Sequence, residues 1–207
     1  MREFDRGYSE VTFSKVAVLL GAKEAIIHKE YHLCSGDPLV IGEENIHPVC
    51  STNFDVADQL ADVGMEAIHP KASKPLEINN IPIRIKNAFD PDHAGTLITK
   101  DFIAPESMVE IVTGSDKVTC LEVHDTRMVG EVGFDLRIMQ ILAKHDISYI
   151  SKATNANTIG MILNDRDCSP ELVTELSNKF EQITTRQVAI VCAIGSNIAQ
   201  PGILAKA

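Results

Sequence analysis

Apolar positions along this chain switch between two periods, and the switches divide it into elements. Residues 11–20 carry a helical pattern that stops at Gly21. Residues 24–29 read as a short strand, with a turn at Asp37-Pro38 after it. Asn53-Phe54-Asp55 leads into a helix through about Val63, with Asp55 as its expected N-cap and Gly64 as its terminator. Pro70 opens another helix, which ends near Asn79-Asn80. Residues 81–85 and 95–98 follow as strands. Strands separated by helices of this length predict an α/β layer with parallel pairing.

After a linker at 103–106, residues 107–113 and 118–123 read as separate strands. Phe134, Ile138, Ile141 and Leu142 then form one apolar helical stripe, with Asp135, Arg137, Gln140 and Lys144 toward water. Asp146 closes that helix. Residues 147–150 start a strand, Asn155 and Asn157 make a turn, and Ile159, Met161 and Leu163 alternate along another strand. Ser169-Pro170-Glu171 starts a helix running to about Phe180. This β-α-β-β run is most of a ferredoxin-like unit. The last 21 residues, QVAIVCAIGSNIAQPGILAKA, partly repeat KVTCLEVHDTRMVGEVGFDLRIM, with a strand expected at 188–193. A half-unit with an open apolar face cannot stand alone, so the second copy reads as truncated. The first copy then needs a fourth strand from 107–113 or from further chain.

Composition narrows the function. The 207 residues are 44% apolar and 23% charged, with mean hydropathy +0.02, an ordinary globular balance. A net charge of −10 disfavours a broad nucleic-acid surface while leaving room for ATP in a local basic pocket. The five cysteines show no C-x-x-C spacing and suit free thiols in a reducing, cytoplasmic compartment. No apolar run reaches membrane-span length, and the start has no signal-peptide core.

Four stretches in the first hundred residues carry a resemblance. Arg6-Gly7-Tyr8-Ser9-Glu10 resembles the Gly-Arg-Gly-Gly-Ser-Asp loop of aspartate kinases, and Asp37-Pro38 resembles the Asp-Pro after that family's nucleotide loop. Gly64-Met65-Glu66-Ala67-Ile68-His69-Pro70 resembles Gly-Ala-Lys-Val-Leu-His-Pro. Asn80 to Asn87 with Gly95 to Ile98 resembles the strand pair ending the kinase domain. The ferredoxin-like stretch resembles the ACT sensor domain that follows in tandem. The RGYSE and GMEAIHP variants look most like the branch associated with ectoine synthesis.

The resemblance implies residues 1–102 from the C-terminal part of an amino-acid-kinase α/β domain, an ACT unit at 107–186 and the start of a second at 187–207. It implies transfer of the ATP γ-phosphate to the side-chain carboxylate of L-aspartate, with Mg²⁺, and a homodimer paired through ACT units. The alternative is a non-catalytic regulatory, dimerising subunit that binds an amino-acid effector.

Physically, an acyl-phosphate-forming kinase needs cations for the substrate carboxylates and donors for the phosphates. Arg6 offers a planar fork for a carboxylate, Ser9 a hydroxyl ahead of a helix, and Glu10 a carboxylate that could order substrate or a basic side chain. The plainer account is that Ser9 and Glu10 only cap a helix while Arg6 is solvated. The resemblance makes these three the substrate-binding candidates and Lys29, Asp37, Pro38 and Glu66 the nucleotide-binding ones. Departures are marked: Glu66 stands at the family's lysine, and 28–34 keep almost nothing of Thr-Asp-Val-Asp-Gly-Val-Tyr. His28 and His32 are not expected to meet as a metal pair, and His69 is expected to be structural. The family's Lys-Phe-Gly-Gly-Thr stretch is not in this sequence, so the isolated polypeptide is expected not to phosphorylate aspartate. Effector candidates, for lysine or threonine, are Met128, Gly133, Phe134, Asp135, Ser148, Tyr149 and Thr154. Asp135 is the expected partner of a ligand ammonium, although Ile150 removes a polar contact common in the family and Phe134 and Met128 also suit a core.

Overall fold

The structure, a computed structural model, describes residues 8–65 and 67–198. The described residues divide into two units, residues 8–114 with 191–198 and residues 115–190. No helix among the described residues is long and apolar enough to cross a membrane.

The first unit runs α1 (Tyr8–Leu19), β1 (Ala25–Lys29), α2 (Pro38–Ile41), β2 (Ser51–Asn53), α3 (Phe54–Asp62), α4 (Pro70–Ile78), β3 (Ile83–Asn87) and β4 (Thr96–Thr99). Its sheet has the order β1-β3-β4-β2. The parallel expectation holds for β1 with β3 and β2 with β4, but β3 and β4 are antiparallel, so the sheet is mixed. The short connection from β3 to β4 permits only that direction, since a parallel return needs a crossover of a dozen or more residues. Ile83, Ile85 and Ile98 are buried in the sheet, and Leu60 and Leu76 bury the inner faces of α3 and α4. The small residues Ser14 and Ala17 are buried on α1, which packs against α4.

Local chemistry sets most of these boundaries. Asn53, not Asp55, is the N-cap of α3: its side chain accepts the Val56 N–H at 2.9 Å, and Asp55 lies in the exposed first turn. Gly64 follows that helix with φ +88°, a conformation that glycine adopts without penalty. Asp37-Pro38 opens the one-turn helix α2 rather than a simple turn, with the Asp37 carbonyl accepting from Val40 and Ile41.

The second unit contains α5 (Phe134–Lys144), β6 (Ser151–Thr154), β7 (Thr158–Asn164) and α6 (Pro170–Ser177). It also takes in most of β5 (Ile111–His124) and β8 (Gln182–Ile194). Its sheet order, β6-β7-β5-β8 around two helices, is the ferredoxin-like βαββαβ arrangement. Three expectations change. The strands expected at 107–113 and 118–123 merge into the single 14-residue β5, which starts at Ile111. The strand expected at 147–150 starts instead at Ser151. The strand expected at 188–193 belongs to β8, which lies beside β5 and supplies the fourth strand that the sequence left unassigned. The remainder of the expected second copy, 199–207, lies outside the described residues.

The four stripe residues Phe134, Ile138, Ile141 and Leu142 are the buried residues of α5. They pack with Leu121, Ile159, Met161 and Leu163 from the sheet, with Leu172 and Leu176 from α6, and with Phe180. Ser169 caps α6 by accepting the Leu172 N–H.

Candidate functional site

In the first unit, three stretches far apart in sequence meet at one carboxylate. Glu10, in the first turn of α1, accepts from Lys29 Nζ at 2.9 Å through Oε1. Through Oε2 it accepts the backbone N–H of His69 at 2.8 Å. Lys29 is the last residue of β1, and its side chain is 31% exposed, enough to reach a ligand while staying oriented. His69 is the N-cap of α4, its Nδ1 accepting the Lys71 N–H at 3.1 Å. The expectation of a structural His69 therefore acquires a specific atom.

The node has a chemical consequence. The His69 N–H at the start of α4 and the Lys29 ammonium at the end of β1 both donate to the carboxylate that α1 supplies, so a backbone donor and a cation are gathered at one point. Such an arrangement suits phosphate or carboxylate oxygens. Glu10 compensates and positions that ammonium.

Next to the node, the Lys29 carbonyl accepts the Ala88 N–H at 2.8 Å, carrying the strand pair into the loop that follows β3. His32 Nε2 is 3.2 Å from Asp90 Oδ2, and its ring centroid is 4.3 Å from that of His93. His28 is exposed on β1 and belongs to no such contact. Among the described residues no group of three or more His, Cys, Asp or Glu side chains is placed to hold a metal ion.

Of the other candidates here, Ser9 is exposed on the first turn of α1, and Asp37 and Pro38 begin α2. Arg6 and Glu66 lie outside the described residues. The fold thus brings Glu10 and Lys29 together. That pairing was not legible in the sequence, because 19 residues separate its two members.

Phe134 is 3% exposed, and its ring lies tilted at 5.3 Å centroid distance from that of Phe180 within the core. Met128 packs half-buried against the same core. Gly133 is the N-cap of α5 at φ +81°, with nothing within 4 Å of an added Cβ, so the approach to this helix start is open. Ser148 and Tyr149 are exposed ahead of β6, where pairing begins with the Ile150 N–H on the Ile162 carbonyl. Thr154 ends β6, opposite Ile159.

The Asp135 carboxylate, expected to face a ligand ammonium, accepts at Oδ2 from Lys152 Nζ. Lys152 was missed for a definite reason. The local pattern set a strand starting at 147–150 but no register for it, whereas the observed register pairs Lys152 with buried Met161 and turns it to the helix side along with Thr154.

A second missed group is Asp125, fully buried after β5. Its carboxylate accepts from the Arg127 N–H at 3.0 Å, Arg127 Nε at 2.8 Å and the Glu181 N–H at 3.3 Å. The Arg127 guanidinium holds this carboxyl down to about 2 against the opposing effect of burial. Glu181 returns the tie by accepting the Thr126 N–H at 3.0 Å, which fixes the loop ahead of α5.

Comparison with known proteins agrees with this fold. Residues 2–87 match the model of the amino acid kinase family. The aspartate kinase Ask_Ect of Stutzerimonas stutzeri (strain A1501) is 43% identical over 212 aligned residues, which cover 100% of this chain and 44% of that protein. Among solved structures, the aspartate kinase of Clostridium acetobutylicum superposes with a TM-score of 0.83 at 23% identity, covering 98% of this chain and 48% of the other. Escherichia coli aspartokinase III, solved with aspartate and ADP, gives 0.77 at 24% identity over 90% of this chain and 43% of its own. The same enzyme, solved with lysine and aspartate, gives 0.74 at 22% identity over 96% of this chain and 48% of its own. The chain spans under half the length of these relatives.

Proposed function

We propose that this chain, an aspartate kinase homologue over its whole length, is part of an enzyme that phosphorylates the side-chain carboxylate of L-aspartate with ATP, its ferredoxin-like unit serving as an ACT-type amino-acid sensor. The observation that carries this reading is the node of Glu10, Lys29 and the His69 N–H, which joins two of the stretches resembling the family to the end of β1.

In that reaction a carboxylate oxygen of aspartate attacks the γ-phosphorus, and the bond to the β-phosphate bridging oxygen breaks to release ADP. Little covalent work falls to the protein, so positioning and charge compensation dominate. Lys29 is the cation offered to the nucleotide phosphates, and Glu10 aims it. Ser9 and Arg6 take the substrate carboxylates, the hydroxyl by donation and the guanidinium by its paired N–H groups. Asp37, Pro38 and Glu66 belong to the nucleotide side by resemblance. The described residues gather no cluster of three carboxylate, imidazole or thiol ligands, so a Mg²⁺ ion would be held chiefly by the phosphates and water, where it would neutralise developing charge. Lysine or threonine is the proposed effector, and pairing of ACT units the proposed dimer contact.

The test is calorimetric titration of the protein with ADP and Mg²⁺, in parallel with its Lys29→Met variant. Losing one phosphate-facing cation should weaken ADP binding about tenfold, the scale of a charge-assisted hydrogen bond. Equal affinity for both proteins removes Lys29 from the nucleotide site. Hydroxylamine trapping of an aspartate-dependent acyl phosphate then checks the chemistry in the full-length enzyme.

A further inference from the structure

We propose that His93 is a proton-operated latch on the loop between β3 and β4: the neutral ring holds the loop closed at Gly95, and a second ring proton releases it.

The loop, residues 88–95, leaves β3 beside the end of β1, where the Lys29 carbonyl accepts the Ala88 N–H. It therefore borders the node of Glu10 and Lys29. Most of its ties are indifferent to acid. Lys86 Nζ donates to the Pro91 carbonyl at 2.7 Å, and Arg84 Nη1 donates to the Ala94 carbonyl at 3.1 Å.

The tie at His93 differs in its chemistry. Nδ1 of this ring accepts the Gly95 N–H at 3.0 Å. An imidazole nitrogen accepts only while it carries no proton, so the bond requires the neutral ring protonated at Nε2. The proton that makes the ring cationic goes to Nδ1, and two N–H groups then face each other. Gly95 has no local escape, because it is buried at φ +76° with an added Cβ only 2.3 Å from the Ile85 carbonyl oxygen. A buried amide deprived of its acceptor is costly, so the turn opens instead of keeping the bond unmade.

His32 behaves differently. Its Nε2 lies 3.2 Å from Asp90 Oδ2, a contact that a protonated Nε2 makes in the neutral and the cationic ring alike. The middle of the loop thus stays tied while the Gly95 end comes free. The His32 ring is 4.3 Å from that of His93, so a proton there adds positive charge beside the latch without breaking a tie. Arg84 and Lys86 add positive charge from β3, with Glu24 paired to Arg84 and Glu10 to Lys29. Glu30, Cys50 and Asp92, the other titratable groups on the neighbouring segments, are exposed. Among the described residues no carboxylate is in hydrogen-bond contact with the His93 ring, so the cation gains nothing by staying and turns toward water.

The experiment is an NMR titration of the whole chain from about pH 8 to about pH 5, the span over which imidazoles ordinarily gain their proton. It follows the His93 ring together with the exchange protection of the Gly95 and Ala88 amides, each relative to its intrinsic rate at that pH. Gly95 protection should fall about tenfold, the worth of one hydrogen bond, in step with the proton gained by His93, while Ala88 keeps its protection. His93→Asn retains a side-chain acceptor two residues ahead of the glycine, as Asn155 does for the Asn157 N–H at 3.2 Å, and has no proton to gain. Gly95 protection should therefore stay level in that variant, and His93→Asp supplies the same acceptor if the Asn variant does not fold. A Gly95 amide that stays protected while His93 gains its proton overturns the proposal, as does a ring that gains none down to about pH 5. A fall shared by Ala88, or by the variant, marks general loosening and overturns it as well.

Discussion

The buried carboxylate of Asp125 yields the sharpest stability prediction. Asparagine at this position keeps the shape and one acceptor oxygen but loses the charge that pairs with Arg127. Two of the donors to this carboxylate are backbone N–H groups, of Arg127 and Glu181, and the third group is the Arg127 guanidinium. Arg127 is 59% exposed and recovers water when the pair is lost, so the full penalty of an orphaned buried charge does not apply. Lowering the carboxyl from 3.8 to about 2 corresponds, at 1.36 kcal/mol per unit and discounted for that exposure, to about 2 kcal/mol. The Asp125→Asn variant should lose this amount at neutral pH.

The sign with pH is fixed by the direction of the shift. A carboxylate held below its unfolded value stabilises the fold above that value, and the stabilisation disappears as pH falls through the folded one. The difference between parent and variant should therefore be full above about pH 5 and shrink steadily toward about pH 2. Hydrogen exchange at the paired amides of β5 and β7 reads the stability of this unit directly, and urea unfolding gives the same difference as a midpoint shift. A difference that stays constant from neutral pH to about pH 2.5 would refute the assignment of the stabilisation to the ionised carboxylate.

Other perturbations follow from the same geometry. Glu10→Ala removes the partner of Lys29 and of the His69 N–H, and should cost the first unit about 1–2 kcal/mol in urea unfolding, with Glu10→Gln recovering part of it. Gly95→Ala places a Cβ 2.3 Å from the Ile85 carbonyl oxygen at a φ of +76°, so it should destabilise the β3–β4 connection by more than about 1 kcal/mol, read as lost exchange protection in β4. Ile138→Ala, at a position with no solvent exposure, should cost about 2–5 kcal/mol in thermal or urea unfolding. Glu175 is held down to about 2, first by Lys144 and then by His145. Its contribution should be present at neutral pH, be lost as pH falls through about 2, and be reduced by salt, so Glu175→Gln should flatten the acid limb of the unfolding curve.

Periodicity and cap chemistry determined the existence and type of most elements, because those signals are local. The stripe of Phe134, Ile138, Ile141 and Leu142 is the buried face of α5, and Pro70 and Ser169 mark the starts of α4 and α6. Local signals erred where a partner strand decides. Gly114 to Lys117 reads as a break but lies within β5, since pairing along neighbouring strands outweighs the weak strand preference of those residues. β6 starts four residues later than expected, and its register against β7 places Lys152 opposite Met161 on the helix side. The candidate sites depended most on tertiary structure. Glu10 meets Lys29 across 19 residues and His69 across 59, and Asp125 meets Glu181 across 56. A sequence can name the charged groups, but which of them become neighbours depends on how strands and helices pack, and no period along the chain encodes that.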